Sequence, residues 1–199
     1  MTNELSNFGD NAVVTLQANA KVPEGMGIEG WYEVVCHDKD GNLKWEEKFP
    51  NLVVAVGKQL MLDTLLKGSS YTVVGPYLGL ISNTFTASAS DTMGSHTWTE
   101  FTAYTVGGSA VRGTAVFGSS TSTGSTPSNV TSSTATAITY TITGSGGTVY
   151  GCFLVTGTGA VSTQGSTAGI LYSEGLFGTA KTTTAGDTVS VTYSTTATS

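Results

Sequence analysis

The chain has 199 residues, enough for one domain with an appendage, and its 39% hydrophobic content is diluted by 26 glycines and by Ser and Thr rather than by charge, which excludes charge-driven disorder. A net charge of −6 with no Lys or Arg cluster lacks the electrostatic footprint of nucleic-acid binding, so no nucleic-acid partner is expected. No apolar run reaches membrane-spanning length, and Met1 to Asp10 has neither the basic start nor the apolar stretch of a signal peptide; no membrane partner is expected, and the protein reads as made and used in a cytoplasm.

Charge is unevenly distributed. Residues 1–67 carry six Lys and ten Asp or Glu, whereas residues 68–199 carry only Asp91, Glu100, Arg112, Glu174, Lys181 and Asp187, with 53 Ser or Thr among 132 positions. Thr favours strands, Ser and Gly favour turns, and together they indicate a β domain with polar connections. Cys36 and Cys152 stand far apart without a CxxC or Cys/His spacing, and read as reduced, buried small hydrophobes.

In chain order, residues 1–29 have a short apolar patch at Ala12 to Val14 and no sustained periodicity, which reads as an extended arm able to lay against a neighbour. Residues 31–49 form a predicted hairpin: Leu43, Trp45, Glu47 and Phe49 alternate with Asn42, Lys44, Glu46 and Lys48, and Asp38 to Gly41 supplies the turn. The one helical pattern follows at about residues 56–67, with Leu60, Met61, Leu62, Leu65 and Leu66 in i, i+4 apolar pairs packed against a sheet, Lys67 in the last turn and Gly68 as a left-handed cap.

Strands are predicted at Tyr77–Ile81, Thr97–Tyr104, Ala110–Phe117, Ala135–Ile142, Thr148–Thr156, Ile170–Leu176 and Thr188–Tyr193. The low-complexity run 119–134 reads as a protruding polar loop. The predicted fold is mostly β: residues 30–199 form a single β-sandwich domain, jelly-roll or immunoglobulin-like, with an N-terminal arm, a β-hairpin and one α-helix.

The chemical motifs fail on inspection. Asp38, Asp40 and Asn42 open like a calcium loop, but Leu43 stands where glycine is needed and Phe49 where the bidentate Glu belongs, leaving a hairpin turn. His37 and His96 share no ligand spacing, so no metal is expected. Neither they nor the cysteines accompany a nucleophile signature. A paired-carboxylate hydrolase would have to draw on Asp91, Glu100, Glu174 and Asp187, of which Asp187 reads as a turn residue and Asp91 as a loop residue. The glycine runs at 144–147 and 157–159 precede no helix and read as turns, and no cofactor is expected. Asn129-Val130-Thr131 matches a glycosylation acceptor without a secretory signal. The aromatic set Trp31, Tyr32, Trp45 and Phe49 has two readings: one face packed on the helix, or rings presented to a partner subunit, since interface centres are enriched in Trp and Tyr.

The run from Tyr32 to Trp45, then Asn51 to Val54, Gly57 and the Leu60–Leu66 helix, resembles small proteins of tailed bacteriophages encoded among the head genes. Tyr77 to Leu80, Asp91 to Met93, Trp98 to Tyr104, Gly151 to Leu154 and Gly169 to Tyr172 continue the likeness, which spans residues 30–193 and leaves out the arm and the 119–134 loop. The resemblance is to head-decoration or cement proteins. It implies a non-enzymatic virion structural protein, assembled in the host cytoplasm, that binds the outside of the major capsid protein shell, stabilises it, and forms homo-oligomers or self-contacts on that surface. A tail or receptor-binding structural component is the alternative, because it would share the sandwich and the hydroxyl-rich surface.

Overall fold

The computed structural model describes residues 27–67, 74–118, 121–123, 126–130 and 137–198. The predicted arm up to residue 26, the cap at Gly68 and parts of the 119–134 segment therefore lie outside the described residues. Two antiparallel sheets and one helix make up a β-sandwich.

The first sheet holds β1 (Gly27–His37), β2 (Leu43–Pro50), β13 (Thr188–Thr198), β10 (Ile138–Ile142) and β6 (Tyr104–Thr105) in the order β2-β1-β13-β10-β6. Two short strands, β8 (Thr121–Thr123) and β9 (Thr126–Val130), extend it, with β9 paired to β13. The second sheet is ordered β3 (Leu52–Val53), β12 (Ile170–Thr183), β11 (Gly147–Thr156), β4 (Tyr77–Ile81) and β5 (Glu100–Phe101), with β7 (Gly113–Thr114) also on β4. The helix α1 spans Ala55–Leu66.

The hairpin forms as its alternation predicts. Glu33 pairs with Lys48 and Cys36 with Trp45. Asp38 closes the turn by accepting from the backbone N–H groups of Asp40 and Asn42, both at 2.9 Å, and Gly41 takes φ 86°, a region open chiefly to glycine. Because side chains alternate across a strand, β1 sends Tyr32, Val34 and Cys36 inward. There they meet Val189, Val191 and Tyr193 of β13 and Leu78, Leu80, Cys152 and Leu154 of the opposite sheet.

The second sheet is buried on both faces. Its outer side carries Ile81, Phe153, Val155 and Leu171, covered by Val54 at the helix start and by Met93 and Trp98 from the segment between β4 and β5. That double burial accounts for the unbroken apolar run Phe153-Leu154-Val155, which alternation alone would not produce.

Several boundaries differ from the sequence expectation. Ordered strand begins at Gly27, so the last residues assigned to the arm belong to β1. The 119–134 loop contains β8 and β9. Thr97–Tyr104 is no single strand because the chain crosses there from one sheet to the other, β5 pairing with β4 and β6 with β10. Ala110–Phe117 shrinks to β7. Around it, Arg112 N–H reaches Ser162 O at 2.7 Å and Ala115 N–H reaches Pro76 O at 2.8 Å, so its neighbours bond to loops rather than to a strand ladder. In contrast, β12 continues to Thr183, where its second half lies over β2.

Candidate functional site

The four aromatic candidates divide into core and surface. Tyr32 and Phe49 are 0% and 3% exposed, with ring centroids 5.4 Å apart, and the Tyr32 hydroxyl shares a 2.8 Å hydrogen bond with Ser173 Oγ. Both lie between the two sheets, so neither faces a partner; the inward register of β1 and β2 places them there. Trp45 is half-buried, edge-on to Phe177 at 5.7 Å, and donates its indole N–H to Thr182 O at 3.2 Å. Trp31 alone remains substantially exposed, at 38%, with the Lys48 ammonium 5.9 Å from its ring centroid.

The expectation that this aromatic face packs on the helix is also corrected. Helix α1 lies on β12. A Cβ on Gly57 would meet Tyr172 O at 2.5 Å, and the Tyr172 hydroxyl donates to Met61 Sδ at 3.2 Å. Only glycine permits that approach of helix to strand. Leu60 is buried, but Leu62, Leu65 and Leu66 are 46%, 78% and 73% exposed. At i, i+3 and i+4 they share one helical face.

A groove of about 340 Å³, lined by Ile28, Trp31, Asn51, Leu52 and Lys58 among others, separates Trp31 from the helix. Lys58 lines the groove and sits one turn before Leu62, the first of the exposed leucines. The sequence missed this face because AVGKQLMLDTLL is apolar on nearly every side, and a helix without a polar stripe does not reveal which side is buried.

The charged residues of the hydroxyl-rich part are held in structural bonds. Arg112 and Glu100 form a buried two-pronged ion pair, Nε to Oε1 at 2.9 Å and Nη2 to Oε2 at 2.7 Å. Asp187 accepts from Lys44 at 2.5 Å and from Thr184 N–H at 2.7 Å. Burial pushes its carboxyl up, but these donors outweigh burial and hold it below the usual carboxylate range. Lys181 pairs with Glu47 at 2.7 Å.

Glu174 is fully buried on the outer face of the second sheet. Its Oε2 accepts the Trp98 indole N–H at 2.7 Å and its Oε1 the Ser88 N–H at 3.2 Å, while Asp91 Oδ2 lies 3.3 Å from the same N–H. Burial, reinforced by Asp91, moves the Glu174 carboxyl up to about 7. Of the four carboxylates considered for hydrolysis, the fold thus brings Asp91 and Glu174 together and ties Glu100 and Asp187 to cations. Glu174 lies buried beneath Trp98, which stacks on Phe153 at 4.5 Å, while Asp91 is half-buried.

Both cysteines are free and buried. Burial pushes the Cys36 thiol up to about 11 and the Cys152 thiol further still, the reverse of an activated nucleophile. His96 stacks on Trp98 at 3.6 Å, and burial draws its imidazole below the ordinary value. Among the described residues, no group of three or more His, Cys, Asp or Glu is placed to hold a metal ion, and no helix is long and apolar enough to cross a membrane.

Fold and surface define the class as a two-sheet antiparallel β-sandwich with one surface helix bearing an apolar face. No known protein family, curated protein or solved structure matches the chain.

Proposed function

We propose that the chain is a virion structural protein, a decoration or cement protein that binds the outside of a major capsid protein shell and stabilises it. The observation that carries this reading is the exposed face of Leu62, Leu65 and Leu66 on the helix, together with Trp31 and Lys58, which line one groove. Such a face, with an aromatic anchor and a lysine edge, is the composition of a specific protein interface. The resemblance of residues 30–193 to phage head proteins supplies the partner. The docking part is the helix and the start of β1, both of which belong to the sandwich itself. A protein that binds only the assembled shell stabilises it by mass action.

The test mixes purified protein with undecorated expanded heads and sediments them. The wild type co-sediments at roughly micromolar concentration, and the paired change Leu65→Asp and Leu66→Asp weakens binding at least about tenfold with little loss of fold stability, because both side chains are already in water. Binding to tails or host cells instead of heads would reject decoration in favour of the tail alternative.

A further inference from the structure

We propose that the buried Glu174 carboxyl, kept protonated beside Asp91, latches the segment Ser82–Thr99 over the second sheet, so that raising the pH loosens this segment while the sandwich beneath stays folded. The segment behaves as a strap. Its base is fixed by Ser82 N–H to Thr99 O at 2.8 Å and Thr99 N–H to Asn83 Oδ1 at 2.5 Å. Its middle is held by the buried Met93 and Trp98 side chains and the packed Phe85, by the Ser88 and Trp98 bonds to Glu174, by the stack of Trp98 on Phe153, and by the Ala55 N–H at the helix start donating to Ala89 O at 2.8 Å. One carboxyl on β12 therefore carries both polar ties of the strap to the sheet.

Two carboxyls compete there for one backbone donor, and no cation compensates them. On the strap side the groups are Asp91 and, beyond the Trp98 ring, His96. On the β11 side the facing residue is Phe153, and the Arg112 guanidinium above it at 5.1 Å is taken by Glu100. On the β3 and helix side Leu52 and Val54 are apolar, and Lys58 is exposed to solvent. Protonating Glu174 removes the like-charge repulsion with Asp91 and adds a donor that a pair of carboxylates lacks.

The sign follows from proton counting. The closed strap keeps the Glu174 proton up to about pH 7, whereas a solvated Glu releases it at its ordinary 4.5. Between those values closing binds the extra proton, and rising pH favours opening. His96 works the other way. Lowered by burial when the strap is closed, it takes up a proton on opening below its ordinary 6.5, so its contribution must be separated from that of Glu174.

Hydrogen exchange of the Trp98 indole N–H and the Ser88 amide, corrected for intrinsic base catalysis, reads strap opening on the full chain. Glu174→Gln supplies the comparison, since glutamine never ionises and its one carbonyl oxygen keeps the Trp98 bond at the expense of the Ser88 bond, a loss that does not vary with pH, while His96 is common to both proteins. The ratio of wild-type to variant protection is expected to fall at least about tenfold between roughly pH 5 and pH 8. A ratio constant within about twofold overturns the latch. Asp91→Asn provides a second reading: with the neighbouring carboxylate gone, the wild-type transition should move to lower pH, and an unmoved midpoint also overturns it. Neither outcome depends on whether the protein binds capsids.

Discussion

Replacing Arg112 by methionine removes the one buried cation among the described residues while keeping most of the side-chain volume. The guanidinium is bonded to both oxygens of Glu100 and, through Nη2, to Ser166 O at 2.6 Å. Without it Glu100 keeps the Gly165 N–H at 2.7 Å and the Tyr104 hydroxyl at 3.4 Å, too little to solvate a buried carboxylate. Breaking one side of a buried pair costs about 3–5 kcal/mol, and for a chain of this size each kcal/mol lowers Tm by about 2–4 °C. The expected loss is therefore about 4 kcal/mol, read from urea unfolding followed by tryptophan fluorescence. Changing Glu100→Gln in the same chain should recover more than half of it, because the stranded charge is then gone. A single-variant loss under about 1 kcal/mol, or a double variant no better than the single one, would show that the pair is not a desolvated joint.

The aromatic set offers a paired contrast: Phe49→Ala should cost about 3–5 kcal/mol of stability, and Trp31→Ala under about 1 kcal/mol while weakening head binding; equal stability losses in calorimetry would contradict the core and surface assignments. The depressed Asp187 carboxyl contributes stability that is present above the ordinary 3.8 and lost as pH falls through its lower folded value. Asp187→Asn should therefore destabilise the protein at neutral pH and flatten the acid limb of its stability profile, as read by denaturant midpoints across that range.

Local pattern carried the hairpin and the helix. Alternation from Asn42 to Phe49 and the turn chemistry of Asp38 to Gly41 specify a hairpin without help from the rest of the chain, and the helix lies within one residue of its expected span. What the pattern could not carry was anything decided by a distant partner. Thr97–Tyr104 is β-prone throughout, yet it breaks because Phe101 and Tyr104 must serve different sheets. Tyr32 and Trp31 are adjacent aromatics, and only the register against β13 determines which is buried. One usable signal was passed over. Six charges in an otherwise uncharged stretch of 132 residues are more than solubility there requires, and each of them makes a structural hydrogen bond or ion pair: Arg112 with Glu100, Asp187 with Lys44, Lys181 with Glu47, and Glu174 beside Asp91.

Strand β1 pairs with β13 along its whole length, from Gly27 opposite Thr198 to His37 opposite Thr188. Seen from the ribosome, this means that the first of the described strands must wait for the last. Until Thr188–Thr198 is synthesised, β1 has β2 on one side and open hydrogen-bonding groups on the other, next to the inward-facing Tyr32, Val34 and Cys36. The sandwich therefore closes across the greatest sequence distance between its described strands, which predicts a slow folder for its size. It also leaves, during synthesis, an unpaired edge able to capture the β13 of a second nascent copy before its own arrives.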